Sequence, residues 1–342
     1  MSQQLQLPER PDLAQLRRQA KELYRAAAAN DPVARARLRV VSERVTLSVA
    51  QLAIARAYGF ASWPRLKNEA ERRRLIDSGD VDGLARLLAT DPRLARDRVH
   101  SCLTQPGTAV WDYVSVARFH QLLDHDRIGD IARVLLAVGA PVDGDPGDPE
   151  TPLIMAASYG ETGMARALID AGADLEATGV AVPGGTALAH AVAFGMTAIV
   201  DLLINVGAVV HTIVEAAGAG DLGDFLTPDT PAADRARALR AAAVNERLVV
   251  IDQLLAAGTP VDAEIDGSTA LHGAAWEGKA CSVRHLLARG ADPHRRDSEH
   301  KGTPLDWCRH RHAFVGDRWG HAAVERILEP LMRPRDGIVG AC

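Results

Sequence analysis

Residues 151–177 read TPLIMAASYGETGMARALIDAGADLEA, and residues 269–296 read TALHGAAWEGKACSVRHLLARGADPHRR. The two stretches share a Thr-led start, paired alanines (Ala156-Ala157, Ala274-Ala275), a central glycine (Gly160, Gly278) and a closing Gly-Ala-Asp after an aliphatic pair. Each part suits a hairpin of two short helices. Thr with Pro152 at the first turn starts a helix, because Pro has no N–H to lose there. The alanines let neighbouring helices approach closely. The central glycine permits the tight turn between helices, and the last one (Gly172, Gly290) ends the second helix in a left-handed conformation. One such hairpin cannot bury its apolar face alone, so the pattern demands a stack.

The closing motif recurs as Leu135-Leu136…Gly139, Leu168-Ile169…Gly172, Leu203-Ile204…Gly207, Leu254-Leu255…Gly258 and Leu286-Leu287…Gly290, at glycine intervals of 33, 35, 51 and 32. The opening recurs as Thr151-Pro152-Leu153, Thr186-Ala187-Leu188, Thr269-Ala270-Leu271-His272 and Thr303-Pro304-Leu305. A period near 33 with these markers closely resembles the ankyrin repeat, over roughly residues 77–332. The resemblance implies an all-α solenoid of about seven to eight helix-turn-helix repeats preceded by a small helical module. It also implies a concave surface that recognises a protein or peptide.

Several segments depart from the period. Residues 75–95 read as a degenerate first repeat, and residues 96–130 form an irregular segment. Residues 211–226 match half a repeat, and an insertion at 227–237, beginning Thr227-Pro228-Asp229-Thr230-Pro231, accounts for the 51-residue interval. Residues 313–342 read as a C-terminal cap of the 75–342 array. Residues 1–74 form a separate basic module with helices expected at about 12–29, 31–40 and 46–57 and from Trp63 into Arg73. Its stretches LPERPDLAQLRRQAKEL and AQLAIARAYGFASWPRLK resemble a helical region preceding ankyrin arrays in some bacterial proteins.

Composition narrows the class further. The chain has 342 residues, 47% apolar and 4% aromatic, with net charge −5. This length can bury a sizeable core without disulfides or a metal. No apolar run reaches the ~18–20 residues of a membrane span, and MSQQLQLPERPD lacks the basic flank and apolar block of a secretory signal. Cys102, Cys281, Cys308 and Cys342 show no CxxC pairing, which fits reduced thiols in a cytoplasm. Residues 1–75 carry 15 Lys and Arg against 7 Asp and Glu, a net +8, which leaves −13 for the rest. That asymmetry suits nucleic acid or an acidic partner. Docking of the basic module on the acidic array explains it equally well. Without a convincing helix-turn-helix glycine turn, nucleic-acid association through residues 1–74 stays a third reading.

Motifs with chemical potential mostly dissolve into the repeats. Gly218-Ala-Gly-Asp-Leu-Gly223 spells GxGxxG, but a dinucleotide site needs it between a strand and a helix. Here Ala216-Ala217 and Gly220 align with Ala156-Ala157 and Gly160, so no cofactor is implied. The resemblance gives His272 a hydrogen-bonding role between neighbouring turns. His211 and Glu215 share a helix face without a third ligand. Cys308, His310 and His312 alternate, with His321 following; on a helix they diverge by about 200° and could not all meet one metal ion, an objection that weakens if the stretch is a loop. His120 and Asp124-His125-Asp126 could hold a general base, although a solvated turn accounts for them more simply.

The best constellation comes from register. The resemblance places the two residues before each central glycine on the concave side of the inner helix. Those pairs are His125/Asp126, Ser158/Tyr159, Ala193/Phe194, Val244/Asn245, Trp276/Glu277 and His310/Arg311. Three of only 14 aromatics (Tyr159, Phe194, Trp276) fall in this row. Met155, His190 and Trp307 lie one turn earlier. Aromatics beside His, Glu and Arg make a hot-spot groove or a small pocket. A binding or scaffold protein is the leading expectation. The alternative is a small-molecule binder or cofactor-independent enzyme catalysing rearrangement, elimination or cyclisation, with His190, Tyr159 and Glu277 as acid–base groups. No cofactor and no metal enter either reading.

Overall fold

The structure, a computed structural model, describes residues 5–8, 10–99, 109–119, 123, 125–182 and 184–332. Cys102, His120, Asp124 and Cys342, together with residues 333–342 of the expected cap, lie outside them. Among the described residues the chain forms 18 α-helices: α1 Leu13–Ala28, α2 Pro32–Arg39, α3 Leu47–Ala57, α4 Trp63–Asp77, α5 Val81–Thr90, α6 Val110–Phe119, α7 Ile128–Ala137, α8 Pro152–Tyr159, α9 Thr162–Asp170, α10 Ala187–Ala193, α11 Thr197–Asn205, α12 Ile213–Ala219, α13 Ala232–Val244, α14 Leu248–Ala256, α15 Ala270–Trp276, α16 Ala280–Ala288, α17 Pro304–Val315 and α18 His321–Leu328. One antiparallel pair, β1 Glu264–Ile265 with β2 Ser268–Thr269, faces Glu264 to Thr269 and Ile265 to Ser268. The fold is an all-α solenoid. The chain divides into two compact units, Met1–Asp148 with Gly163–Ala173, and Pro149–Thr162 with Asp174–Cys342.

In the first unit, α1 to α3 share a small core. Leu16, Ala20, Leu23 and Ala27 return to one face of α1 at helical spacing and are buried, while Arg17, Arg18, Lys21 and Arg25 point to solvent. They meet Leu38, Ala50, Ile54 and Leu66. The helix α4 is different, because its buried face is polar. Arg72 is fully buried and donates to the carbonyls of Leu94, Asp97 (2.8 Å) and Arg98 (3.3 Å), while also pairing with buried Glu69. Arg73 lies over the Tyr113 ring at 5.3 Å, and the Tyr113 hydroxyl donates to Asp77 Oδ1 at 2.6 Å. Burial raises both the Tyr113 hydroxyl and the Asp77 carboxyl above their ordinary ranges. This network fixes α4 to α6 and to the turn after α5.

In the second unit the inner helices begin in a common way. Thr151 accepts from the Ile154 N–H (3.3 Å), Thr186 from Ala189 (3.4 Å) and Thr303 from Asp306 (3.3 Å). Leu153, Ala156, Ala157, Leu188, Ala191, Leu271, Ala274 and Ala275 fill the seams between them. The helix α10 packs on α8, α15 on α13, and α17 on α15. Where the period lengthens, α12 packs along α13. Fully buried Asn245 holds the succession together there, donating to the carbonyls of Val192 and Ala241, both at 2.9 Å. After α17 a short 3-10 turn, Gly316–Trp319, leads into α18, which packs on α16 and α17. Among the described residues no helix is long and apolar enough to cross a membrane.

Candidate functional site at the ends of the inner helices

Of the row expected from the repeat register, Tyr159, Phe194, Asn245 and Trp276 fall at the C-terminal ends of α8, α10, α13 and α15, while His310 and Arg311 lie within α17. Trp276 ends α15 and is half-buried. Trp307 of α17 meets it edge-on with ring centroids 5.7 Å apart, and His310 stacks against it at 5.9 Å. The Arg311 guanidinium stands 5.2 Å from the Trp276 ring centroid, within cation–π reach. Trp307 is anchored in turn, donating from Nε1 to Asp297 Oδ2 at 3.0 Å and packing edge-on against His272 at 5.3 Å. Asp297 also accepts the N–H groups of Glu299, His300 and Gly302, which hold its carboxyl far below the usual range although burial opposes this. The indole pair is therefore preorganised.

Glu277 follows Trp276 and is half-buried. Burial pushes its carboxyl up to about 7, against the pull of Arg311, Lys279 and Arg240. Lys279 donates to the Gly195 carbonyl at 2.7 Å, and burial lowers its ammonium. A carboxyl and an amine with shifted proton affinity thus share the turn after α15.

At the other members of the row the structure is less open. His190 is fully buried, and its Nδ1 is hydrogen-bonded with the Ser158 hydroxyl at 3.0 Å. Its Nε2 faces Glu150 Oε2 at 3.9 Å, and neither of these buried atoms has a hydrogen-bond partner among the described residues. Glu150 uses its other oxygen to accept from Val180 (3.0 Å) and Ala181 (2.7 Å). Burial lowers the His190 imidazole below its ordinary range, with Glu150 opposing. Phe194, 37% exposed, tilts against His190 at 6.2 Å. Met155 and Tyr159 are half-buried on α8. The structure thus gathers Trp276, Trp307 and His310 in one cluster and His190 with Phe194 in another. His125 and Asp126 belong to the first unit, where His125 Nε2 donates to the Ile76 carbonyl at 2.7 Å and Asp126 is exposed.

Trp319 lies outside the row expected from the repeat register. The backbone at Gly160 has φ +76°, and a β-carbon there would stand 2.8 Å from Trp319 Cη2 and 2.9 Å from Met196 Sδ. At Gly278, with φ +69°, a β-carbon would collide with the Trp319 carbonyl. One residue of the C-terminal turn therefore rests on the ends of both α8 and α15. Next to it, fully buried His321 donates from Nε2 to the Trp276 carbonyl at 2.8 Å. The only sign of this in the sequence is a Trp-Gly pair inside the expected cap.

The remaining motifs are structural. Gly218–Gly223 lies at the end of α12, with Gly220 as its left-handed cap (φ 103°). The Thr269 hydroxyl donates to His272 Nδ1 (2.9 Å) and His272 Nε2 to the Gly302 carbonyl (3.2 Å), which links neighbouring repeats. His211 pairs with Glu176 at 2.8 Å, while Glu215 closes the capping box of α12. Among the described residues no three His, Cys, Asp or Glu side chains converge as metal ligands. Two clefts of about 420 and 290 Å³ lie in the first unit, and neither touches the row.

Comparison with known proteins places these repeats. Residues 120–214 match the model for ankyrin repeats (3 copies), and residues 266–298 match the ankyrin repeat model. No curated protein matches the chain. Among solved structures, the human ASB11 ankyrin repeat domain is 20% identical, with a TM-score of 0.37, covering 76% of this chain and 97% of that one. The Thr-led inner helices, the closing Gly-Ala-Asp turns and the two matched segments together show that the chain carries ankyrin repeats, at residues 120–214 and 266–298.

Proposed function

We propose that the row at the ends of the inner helices, on the concave side of the repeats, is the recognition surface of a binding or scaffold protein for a protein or peptide partner. Ankyrin repeats are generally protein-interaction modules, and the fold alone fixes no partner. The observation that carries the proposal is Trp276, braced edge-on by Trp307, stacked by His310 and faced by Arg311. Rigid Trp and Arg at the centre of a patch are what binding hot spots are made of. Tyr159, Phe194, Met155 and Glu277 extend it, and His125 with Asp126 mark the same register in the first unit. The test is a partner cross-linked to the full chain and then measured against Trp276→Ala and Tyr159→Ala. Loss of about ten-fold or more in affinity supports the surface, and unchanged affinity removes it.

The free thiols Cys281 and Cys308 suit a reducing compartment such as a cytoplasm. Residues 1–74 are proposed as a basic module that docks on acidic repeats rather than on nucleic acid. A second reading, small-molecule acid–base chemistry, is favoured by one observation: the Glu277 carboxyl sits near neutrality. Product formation from a metabolite mixture by the wild type but not by Glu277→Gln supports it, and identical profiles count against it.

A further inference from the structure

Residues 316–320 read Gly-Asp-Arg-Trp-Gly and form the 3-10 turn between α17 and α18, closed by Gly320 in the left-handed conformation (φ +90°). Asp317 holds the turn from outside, its Oδ1 accepting from the Ala322 N–H at 2.7 Å. From that frame Trp319 reaches the inner helices twice. Its ring edge meets Gly160, and its carbonyl lies against Gly278. Both backbone positions are glycine, so the indole and the peptide behind it approach surfaces that any side chain would block. A tryptophan ring brings a large apolar area for few rotatable bonds, which suits it to be an anchor at an interface.

We propose that the Trp319 turn is a resident ligand of the recognition surface, and that the partner is a protein segment presenting tryptophan followed by glycine in a tight turn, which binds by displacing residues 316–320. This rests on the proposal that the row is a binding surface. The seat is shaped for an indole edge at Gly160 and for a close backbone at Gly278, and the chain's own segment supplies both. Being tethered, the resident turn competes at a high effective concentration. The intact protein therefore shows a partner only the fraction of molecules in which the turn is released.

The experiment adds a labelled peptide of residues 314–322, FVGDRWGHA, to the full chain and follows its anisotropy. Trp319→Ala should bind it about ten-fold or more tightly than the wild type, because the seat is vacated. Asp317→Ala, which loosens the turn without touching the inner helices, should gain affinity in the same direction. The same peptide with Ala for Trp should bind neither variant. Should Trp319→Ala lose its helical circular dichroism, Asp317→Ala decides alone. Equal affinity of variant and wild type, or binding that does not need the peptide tryptophan, overturns resident occupancy. A captured partner that depends on Trp276 while the peptide fails would leave the binding surface standing and remove only its self-occupancy.

Discussion

Trp319 and Gly160 are in contact although they belong to opposite ends of the second unit's sequence, and a β-carbon at Gly160 would stand 2.8 Å from the indole Cη2. Gly160→Ala therefore carries a left-handed backbone strained by about 1 kcal/mol or more and collisions with the Trp319 ring and with Met196 Sδ. Gly207→Ala carries only the first, since φ is +91° there and nothing lies within 4 Å. Denaturant titrations should show Gly160→Ala to be the more destabilising. In a Trp319→Ala background the difference should shrink. A difference that persists unchanged would mean that Trp319 does not rest there.

The buried histidines predict an acid-labile fold. His190, His272 and His321 are each held below the ordinary imidazole range, chiefly by burial. Between about 6.5, the unfolded value, and those lower folded values, the unfolded chain binds more protons. Stability contributed by these groups is complete above that window and falls as pH drops through it. Glu277 acts in the opposite sense, because its folded value is raised from 4.5 to about 7. In that window the folded chain holds the extra proton, so stability falls as pH rises.

Glu277→Gln separates the two effects. At pH 8 the variant should melt about 1–2 °C above the wild type, which corresponds to roughly 1 kcal/mol in a protein of this size. Across pH 7.5 to 5.5 its melting temperature should fall more steeply than that of the wild type. Parallel pH profiles for the two proteins would show that Glu277 is an ordinary solvated carboxylate.

Arg72 predicts a large loss of stability on truncation in the first unit. Its fully buried guanidinium answers three backbone carbonyls and buried Glu69. Arg72→Ala breaks the buried pair with Glu69 and frees the carbonyls that the guanidinium answers, and should cost about 3–5 kcal/mol. Urea titration measures this. A loss below 1 kcal/mol would show that water replaces the guanidinium without difficulty.

Much of the fold was legible because the repeats use local rules. The Thr-Pro and Thr-Ala starts appear as the capped ends of α8, α10 and α17. The helices expected at 12–29, 31–40 and 46–57 lie at Leu13–Ala28, Pro32–Arg39 and Leu47–Ala57. Register also brought Trp276, Trp307 and His310 together, since it counts positions on neighbouring parallel helices. It could not foresee that Trp319 lies on Gly160, because that contact depends on the direction in which a non-repeating turn leaves α17. Nor could it see Glu150 facing His190, where one partner sits in a connecting loop. Pattern fixes which face a helix buries; tertiary placement decides what comes to lie on it.

The central claim is that the braced indole of Trp276 anchors a partner. Isothermal titration of the cross-link-identified partner into full-length wild type and Trp276→Ala, with matched circular dichroism, tests it most directly. The predicted result is a weakening of about ten-fold or more, at least 1.4 kcal/mol, for the variant with unchanged helicity. Equal affinity for the two proteins would contradict it.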